Sequence, residues 1–242
     1  MTIYQGGKTN YGETIGILML DTTFPRMPGD IGNATSFNFP VRYQTVIGAS
    51  PTRVVKEADP ALLQPFIDGA LALQKAGVRA VTTSCGFLAM FQKEVSQALD
   101  IPFFSSSLIQ AKIAKQIIGP DKIVGIITAR AASLGDRHFK AVGIDDVPKV
   151  VFGMEDTKEF YATFVEGKES FDADKAEIEM VDKAKALIAA NPNVGAIVFE
   201  CTNMCPFAAA VQEAVKLPVF DVSTLINYIH SVVCRKRFIG EN

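Results

Sequence analysis

The chain has 242 residues, a net charge of −2, and 48% hydrophobic against 21% charged residues. That is enough sequence for a sizeable core in one large domain or two small ones, and the balance gives no electrostatic reason to expect nucleic acid or an anionic membrane as partner. No apolar run reaches the roughly 18–20 residues of a membrane span, and the first residues lack the basic-then-apolar pattern of a signal peptide, so a cytoplasmic protein is expected. Four cysteines suggest core fillers or reactive thiols rather than a disulfide scaffold. The two histidines, His138 and His230, stand beside no obvious nucleophile, which argues against a His-based triad or a multi-His metal site.

Strand-like and helix-like runs alternate along the chain. "TIGILML" (14–20) reads as a buried strand and "YQTVIG" (43–48) as a second. Residues 60–76 have apolar spacing near a 3.6 period and end at Gly77, a helix stop. A strand at 78–84, a helix at 86–99, a short strand at 101–107 and a helix at 108–118 follow. The second half restarts with "KIVGIIT" (122–128), a helix over 131–142 and "KVVFG" (149–153). A charged helix over 173–190, strands at 194–200 and 217–223, and helices at 203–216 and 224–237 complete it. Such alternation predicts an α/β protein with mainly parallel sheets.

Two stretches break the pattern. Residues 21–42, rich in Pro, Gly and Asn, form a long aperiodic loop, and such loops are usually functional or disordered. "FPRMPGDIGN" within it suits either a lid over a cleft or an ordered structural loop. Arg26 is either a solvated residue or a guanidinium fork for a carboxylate. Phe37, Phe39 and Tyr43 offer a face for a second copy of the chain, so a homodimer or higher homo-oligomer is expected. Residues 154–172 read as a surface excursion or subunit contact.

Residue n laid beside residue n+116 exposes a repeat. "VRAVTTSCGFLAMFQKEVSQALDIPFFSSS" (78–107) overlies "VGAIVFECTNMCPFAAAVQEAVKLPVFDVS" (194–223) without a gap. The identities include Val78/Val194, Ala80/Ala196, Phe91/Phe207, Pro102/Pro218 and Phe104/Phe220, which report a shared fold, and Cys85/Cys201, which puts one thiol at the same strand tip in each half. "IGI" at 15–17 and "VGI" at 124–126 open the two halves alike. The expected architecture is two pseudo-symmetric α/β lobes: residues 1–107, residues 108–223, and a C-terminal helix over 224–242. Helix 108–118 and the C-terminal helix are candidates to cross between lobes.

Ligands of open α/β sheets bind beyond the carboxyl ends of strands. Facing lobes would bring Cys85 and Cys201 to opposite sides of one cleft, each just before a helix whose N-terminus favours a thiolate. Two proton-transfer groups on opposite faces of one carbon invert a stereocentre without a cofactor. A single buried cysteine is ordinarily a small hydrophobe; the repeat is what lifts this pair above that reading. Cys205 and Cys234 read as packing residues, and His138 as a surface or helix-face residue.

The chain resembles the aspartate/glutamate racemase superfamily of cofactor-independent, two-cysteine racemases. The resemblance rests on "TTSCGF" and "ECTNMCP", with support at "LMLDTT" and "IITAR". It implies Cys85 and Cys201 as the acid–base pair. It also implies Asp21, Thr22, Thr128 and Thr202, with the strand-tip residues Ser84, Gly86, Phe87 and Asn203, as groups that hold a small carboxylate-bearing substrate through hydroxyls and backbone N–H groups. No metal, nucleotide or pyridoxal phosphate is implied. The chain departs from the family where Cys-Gly-Phe replaces Cys-Asn-Thr and where Asn203 stands in place of a histidine frequent in glutamate racemases. The expected activity is racemisation or epimerisation of an amino acid or related carboxylate. A cysteine-dependent decarboxylase, a cis–trans isomerase of the maleate type or a hydantoin racemase is the alternative within the superfamily, and a two-lobed binding protein the alternative outside catalysis.

Overall fold

The computed structural model describes residues 3–238 and 240. Two four-stranded, all-parallel sheets organise them. The first has the order β2-β1-β3-β4, from β1 (Ile15–Leu20), β2 (Val41–Val46), β3 (Ala80–Thr83) and β4 (Phe103–Phe104). The second repeats that order as β6-β5-β7-β8, from β5 (Ile123–Thr128), β6 (Lys149–Gly153), β7 (Val194–Phe199) and β8 (Val219–Phe220). In each sheet the first strand of the lobe is central, so its side chains are covered on both faces: all six residues of β1 are buried. That explains why these strands read as continuous apolar runs rather than as alternating ones.

Helices α1 (Leu63–Ala76), α2 (Gln92–Ala98) and α3 (Gln110–Ile117) belong to the first half of the chain, and α4 (Asp136–Ala141), α5 (Glu159–Phe164), α6 (Ala173–Ala190), α7 (Ala208–Val215) and α8 (Val222–Val233) to the second. Helix α1 ends at Gly77, whose φ of 102° is the left-handed conformation glycine adopts freely. Its N–H meets the carbonyls of Leu73 and Gln74. The sequence places α6 at its observed limits, with Asp172 accepting from the Lys175 N–H at its start. Helix α3 packs on β5 and β7. Val222, Leu225 and Ile226 of α8 share a buried cluster with Ile15, Ile17, Ala80 and Phe104, so the last helix returns to the first lobe's sheet.

Several boundaries differ from the sequence reading. The helices expected at 86–99 and 203–216 each begin as a six-residue 3₁₀ segment, Gly86–Phe91 and Thr202–Phe207, before turning α-helical. Runs of that length are uncommon in 3₁₀ geometry, and they occur here at the same place in both halves. The final helix starts at Val222, because Asp221 caps it by accepting from the Thr224 N–H, and stops at Val233. The part of the expected final helix at 239, 241 and 242 lies outside the described residues. A π-helical turn at Thr52–Glu57 had no sequence signature, and the charged excursion at 154–172 contains α5. Phe39 stacks on His230 at 3.6 Å and Tyr43 donates to the Ile31 carbonyl at 2.8 Å. With Phe37, these half-buried aromatics pack against the cluster around Ile15 and Ile17. His138, read as a surface or helix-face residue, lies on α4 with its side chain buried beside Phe87, their rings 5.5 Å apart, and burial with the nearby Arg137 lowers its pKa to about 4.

Candidate active site

β3 and β7 end at one place. Beyond Thr83 the chain runs through Ser84 and Cys85 into the 3₁₀ segment; beyond Phe199 it runs through Glu200 and Cys201 into the matching one. The backbone is anchored in the same way on both sides, Ser84 N–H to the Leu18 carbonyl and Glu200 N–H to the Ile127 carbonyl, both at 2.8 Å. The tips also lock to each other. The Thr202 hydroxyl donates to the Ser84 carbonyl at 2.6 Å, and Gly86 lies so close to Glu200 that a Cβ would overlap its carbonyl oxygen and Oε1. Close approach of backbone requires glycine there.

Between the tips lies a small cavity of about 20 Å³, room for about one water molecule. Its lining includes Cys85, Cys201, Ser84, Gly86, Phe87 and Asn203, all expected from the sequence. Phe24 and Arg26 of the long loop, Phe164 and Val165 at the end of α5, and Glu200 complete the part of it that bears on chemistry. The other expected residues stand elsewhere. Asp21 is exposed, and its carboxylate accepts from the Gly48 N–H at 3.0 Å outside the cavity. The Thr22 hydroxyl accepts from Arg26 Nη2 at 3.0 Å. Thr128 is buried and donates to Glu200 Oε2 at 2.6 Å. Thr202 spends its hydroxyl on the lobe-to-lobe bond.

The long loop is built into the site. Arg26 Nη1 reaches Asp30 Oδ1 at 2.7 Å, and Asp30 Oδ2 accepts from Asn203 Nδ2 at 2.6 Å. Asn203 Oδ1 in turn lies 3.6 Å from the Cys201 sulfur that donates to it. A continuous polar chain thus links a first-lobe loop to the second-lobe thiol. The Arg26 guanidinium lies 4.6 Å from the centre of the Phe24 ring. Gly32 is what lets Arg26 lie flat, since a Cβ at that position would overlap its side chain. Phe24 meets Phe164 edge-on at 5.2 Å, closing the cavity from the loop side.

The electrostatics correct one expectation. The helix starts do not hold the cysteines as thiolates. Burial, and then the Glu200 carboxylate, push Cys85 up, against the N–H groups of Phe87 and Leu88. Burial, Glu200, Cys85 and Asp30 push Cys201 well above the ordinary range. In this closed arrangement both are neutral thiols. Glu200 is fully buried, and desolvation raises its pKa to about 8 despite hydrogen bonds from Thr128 and the Ala129 N–H. Its Oε1 has no partner. Sequence reasoning missed Glu200, because a carboxylate just past a strand reads as solvated. Its alignment at n+116 with Ser84 was the available signal. Cys205 is buried among core residues, as expected. Among the described residues, no cluster of His, Cys, Asp and Glu is arranged to hold a metal ion, and no helix is long and apolar enough to cross a membrane.

Comparison with known proteins places this architecture. The chain is 34% identical over 233 residues to a dimethylsulfoniopropionate lyase of Durusdinium sp. clade D, covering 93% of this chain and 77% of that protein. It is 32% identical to dimethylsulfoniopropionate lyase 7 of Emiliania huxleyi, covering 93% and 69%. With lyase 5 of the same alga it shares 28% identity over 90% of this chain but only 45% of that longer protein. Among solved structures, allantoin racemase from Klebsiella pneumoniae superposes with a TM-score of 0.66 at 15% identity, covering 91% of this chain and 88% of that one. Unliganded arylmalonate decarboxylase superposes with a TM-score of 0.61 at 15% identity, covering 95% of each chain. The model of the Asp/Glu/hydantoin racemase family matches residues 41–226, and the chain belongs to that family.

Proposed function

We propose that the chain is a cysteine-dependent lyase that eliminates a sulfide from a β-sulfonium carboxylate of the dimethylsulfoniopropionate type. The observation that carries this reading is one small cavity lined by both strand-tip thiols and by Arg26, in a chain 34% identical over most of its length to a protein named for that lyase activity. The elimination needs one base and no redox partner. A thiolate takes a proton from the carbon beside the carboxylate. The C–H electron pair becomes the carbon–carbon double bond of acrylate, the neighbouring C–S bond breaks, and its pair leaves on sulfur as neutral dimethyl sulfide. The base is left as a thiol, and its proton returns to solvent.

Burial cuts both ways for this chemistry. A thiolate of raised pKa is a stronger base for a carboxylate's α-proton, but the thiol ionises only once a cationic substrate group beside it brings its pKa down toward the working pH. The second thiol serves to hold or return a proton, as it would in a racemase. A cavity of about 20 Å³ does not admit a molecule of this size, so the loop bearing Phe24 and Arg26 and the end of α5 move apart to let it in.

The test is proton NMR of dimethylsulfoniopropionate incubated with the purified chain in heavy water. Vinyl signals of acrylate growing with the methyl signal of dimethyl sulfide are expected. No elimination, with loss of an α-proton signal from an amino acid or hydantoin in a parallel sample, would instead make it a racemase. That second reading draws on the pairing of the two thiols from opposite lobes.

A further inference from the structure

Apart from the thiols, the cavity has two ionisable lining residues, Arg26 and Glu200, and they come from different lobes. Arg26 is already paired, with Asp30. Glu200, which also lines the cavity, is not: Oε2 takes the Thr128 hydroxyl, while Oε1 is buried and meets no donor. A buried carboxyl oxygen with no partner is costly to keep, and nothing in the fold requires it, because the matching position of the first lobe carries Ser84. Phe24, Phe87 and Phe164 line the same cavity. An onium group among these rings favours the ionised form of Glu200, and an ionised carboxylate with aromatic rings around it suits a soft, weakly hydrated cation with no N–H to donate. A second carboxylate on the substrate would meet Glu200 as a like charge.

From this arrangement we infer that Glu200, with Phe24, Phe87 and Phe164, recognises the onium end of a zwitterionic substrate, and that Arg26 faces its carboxylate. Glu200 is then the residue that selects onium carboxylates over dicarboxylates and neutral acids. The inference deepens the proposed function and rests on it for the identity of the cavity as the substrate site.

The test measures binding rather than turnover. Two inert probes are compared by calorimetry at pH 9, where Glu200 is ionised: trimethylglycine, which keeps a fixed positive charge but has no β-carbon from which a leaving group could depart, and its all-carbon isostere, in which a quaternary carbon replaces the nitrogen. The wild-type chain is expected to prefer the charged probe by roughly tenfold or more, the size of one desolvated cation contact. Glu200→Gln should abolish that preference while leaving the affinity for the neutral isostere within about threefold of wild type, which shows that the variant's pocket is intact. Equal affinities in the wild type, no binding of the charged probe, or a preference that survives in Glu200→Gln would overturn the inference. Because neither probe can react, its failure is separable from that of the lyase reading. A chain that prefers the charged probe yet releases no sulfide keeps the onium site and loses the reaction; one that releases sulfide without the preference does the reverse.

Discussion

The tips of β3 and β7 are built on one plan and differ where it matters. Both end in a backbone bond to the neighbouring central strand, a cysteine and a six-residue 3₁₀ segment. Before the cysteine, the first lobe has Ser84, a neutral hydroxyl that accepts from the Leu20 N–H at 2.9 Å. The second has Glu200, a carboxyl with an oxygen to spare. After the cysteine, the first lobe has Gly86 and Phe87, small and then apolar; the second has Thr202 and Asn203, which tie the lobes together and reach the loop. The strand β1 of the first lobe runs out into a loop that crosses the cleft, whereas β5 of the second is followed by Thr128's bond to Glu200 and then by α4. Duplication supplied two equivalent thiols. Divergence at their flanks put an ionisable carboxyl on one side and the apolar wall on the other. A symmetric pair suits inverting a stereocentre; an asymmetric one suits a substrate whose two ends differ.

The comparison can be broken at the thiols first. Cys85→Ser and Cys201→Ser should each lower sulfide release, by roughly 10²–10⁴-fold for whichever thiol is the base and less for the other. Initial rates by gas chromatography of the headspace check this, and equal losses would favour a symmetric two-base mechanism. The next effect is on stability. The Glu200 pKa is raised from 4.5 to about 8 on folding, so the folded chain holds a proton the unfolded chain releases in that window. Its burial therefore costs nothing below about pH 4, and stability falls as the pH rises from about 4 to 8. Glu200→Gln should remove this slope and gain a few kcal/mol at pH 8 and above, measured by urea unfolding across that range, whereas Ser84→Ala should leave the slope unchanged.

Two substitutions sharpen the contrast after the cysteines. Gly86→Ala would push a methyl into Glu200 and should cost about 1–3 kcal/mol, the usual scale of overpacking. Thr202→Val keeps the volume and loses the hydrogen bond to the Ser84 carbonyl, for about 1 kcal/mol. Urea midpoints of the two variants, measured together, check the order.

Much of this was legible before the fold was known, for physical reasons. Parallel strands buried on both faces write themselves as apolar runs, and the gapless repeat carried the equivalence of β3 with β7 and of Cys85 with Cys201. Element type survived where burial sets the pattern, as in α1 and α6. It failed at 86–91 and 202–207, because apolar spacing does not distinguish a 3₁₀ start from an α-helix. Residues that line the cavity were legible where they sit at the strand tips. Asp21 and Thr128 follow or end their strands as read, but they stand outside the cavity, held by hydrogen bonds to Gly48 and Glu200 that no local pattern records. The roles of Arg26 and Asp30 depend on a loop crossing to the other lobe, and those of Phe39 and His230 on a stack between residues far apart in sequence.

The account's central claim, that both thiols face one site that opens to hold a single substrate, is tested most directly by labelling stoichiometry. Bromopropionate carries the substrate's carboxylate and a leaving group on the β-carbon, so an attacking thiolate displaces bromide and leaves a propionate that fills the cavity. Mass spectrometry of the cysteine peptides should find one label per chain shared between Cys85 and Cys201, with activity lost in proportion. Two labels on the same chain, one at each cysteine, would contradict the account.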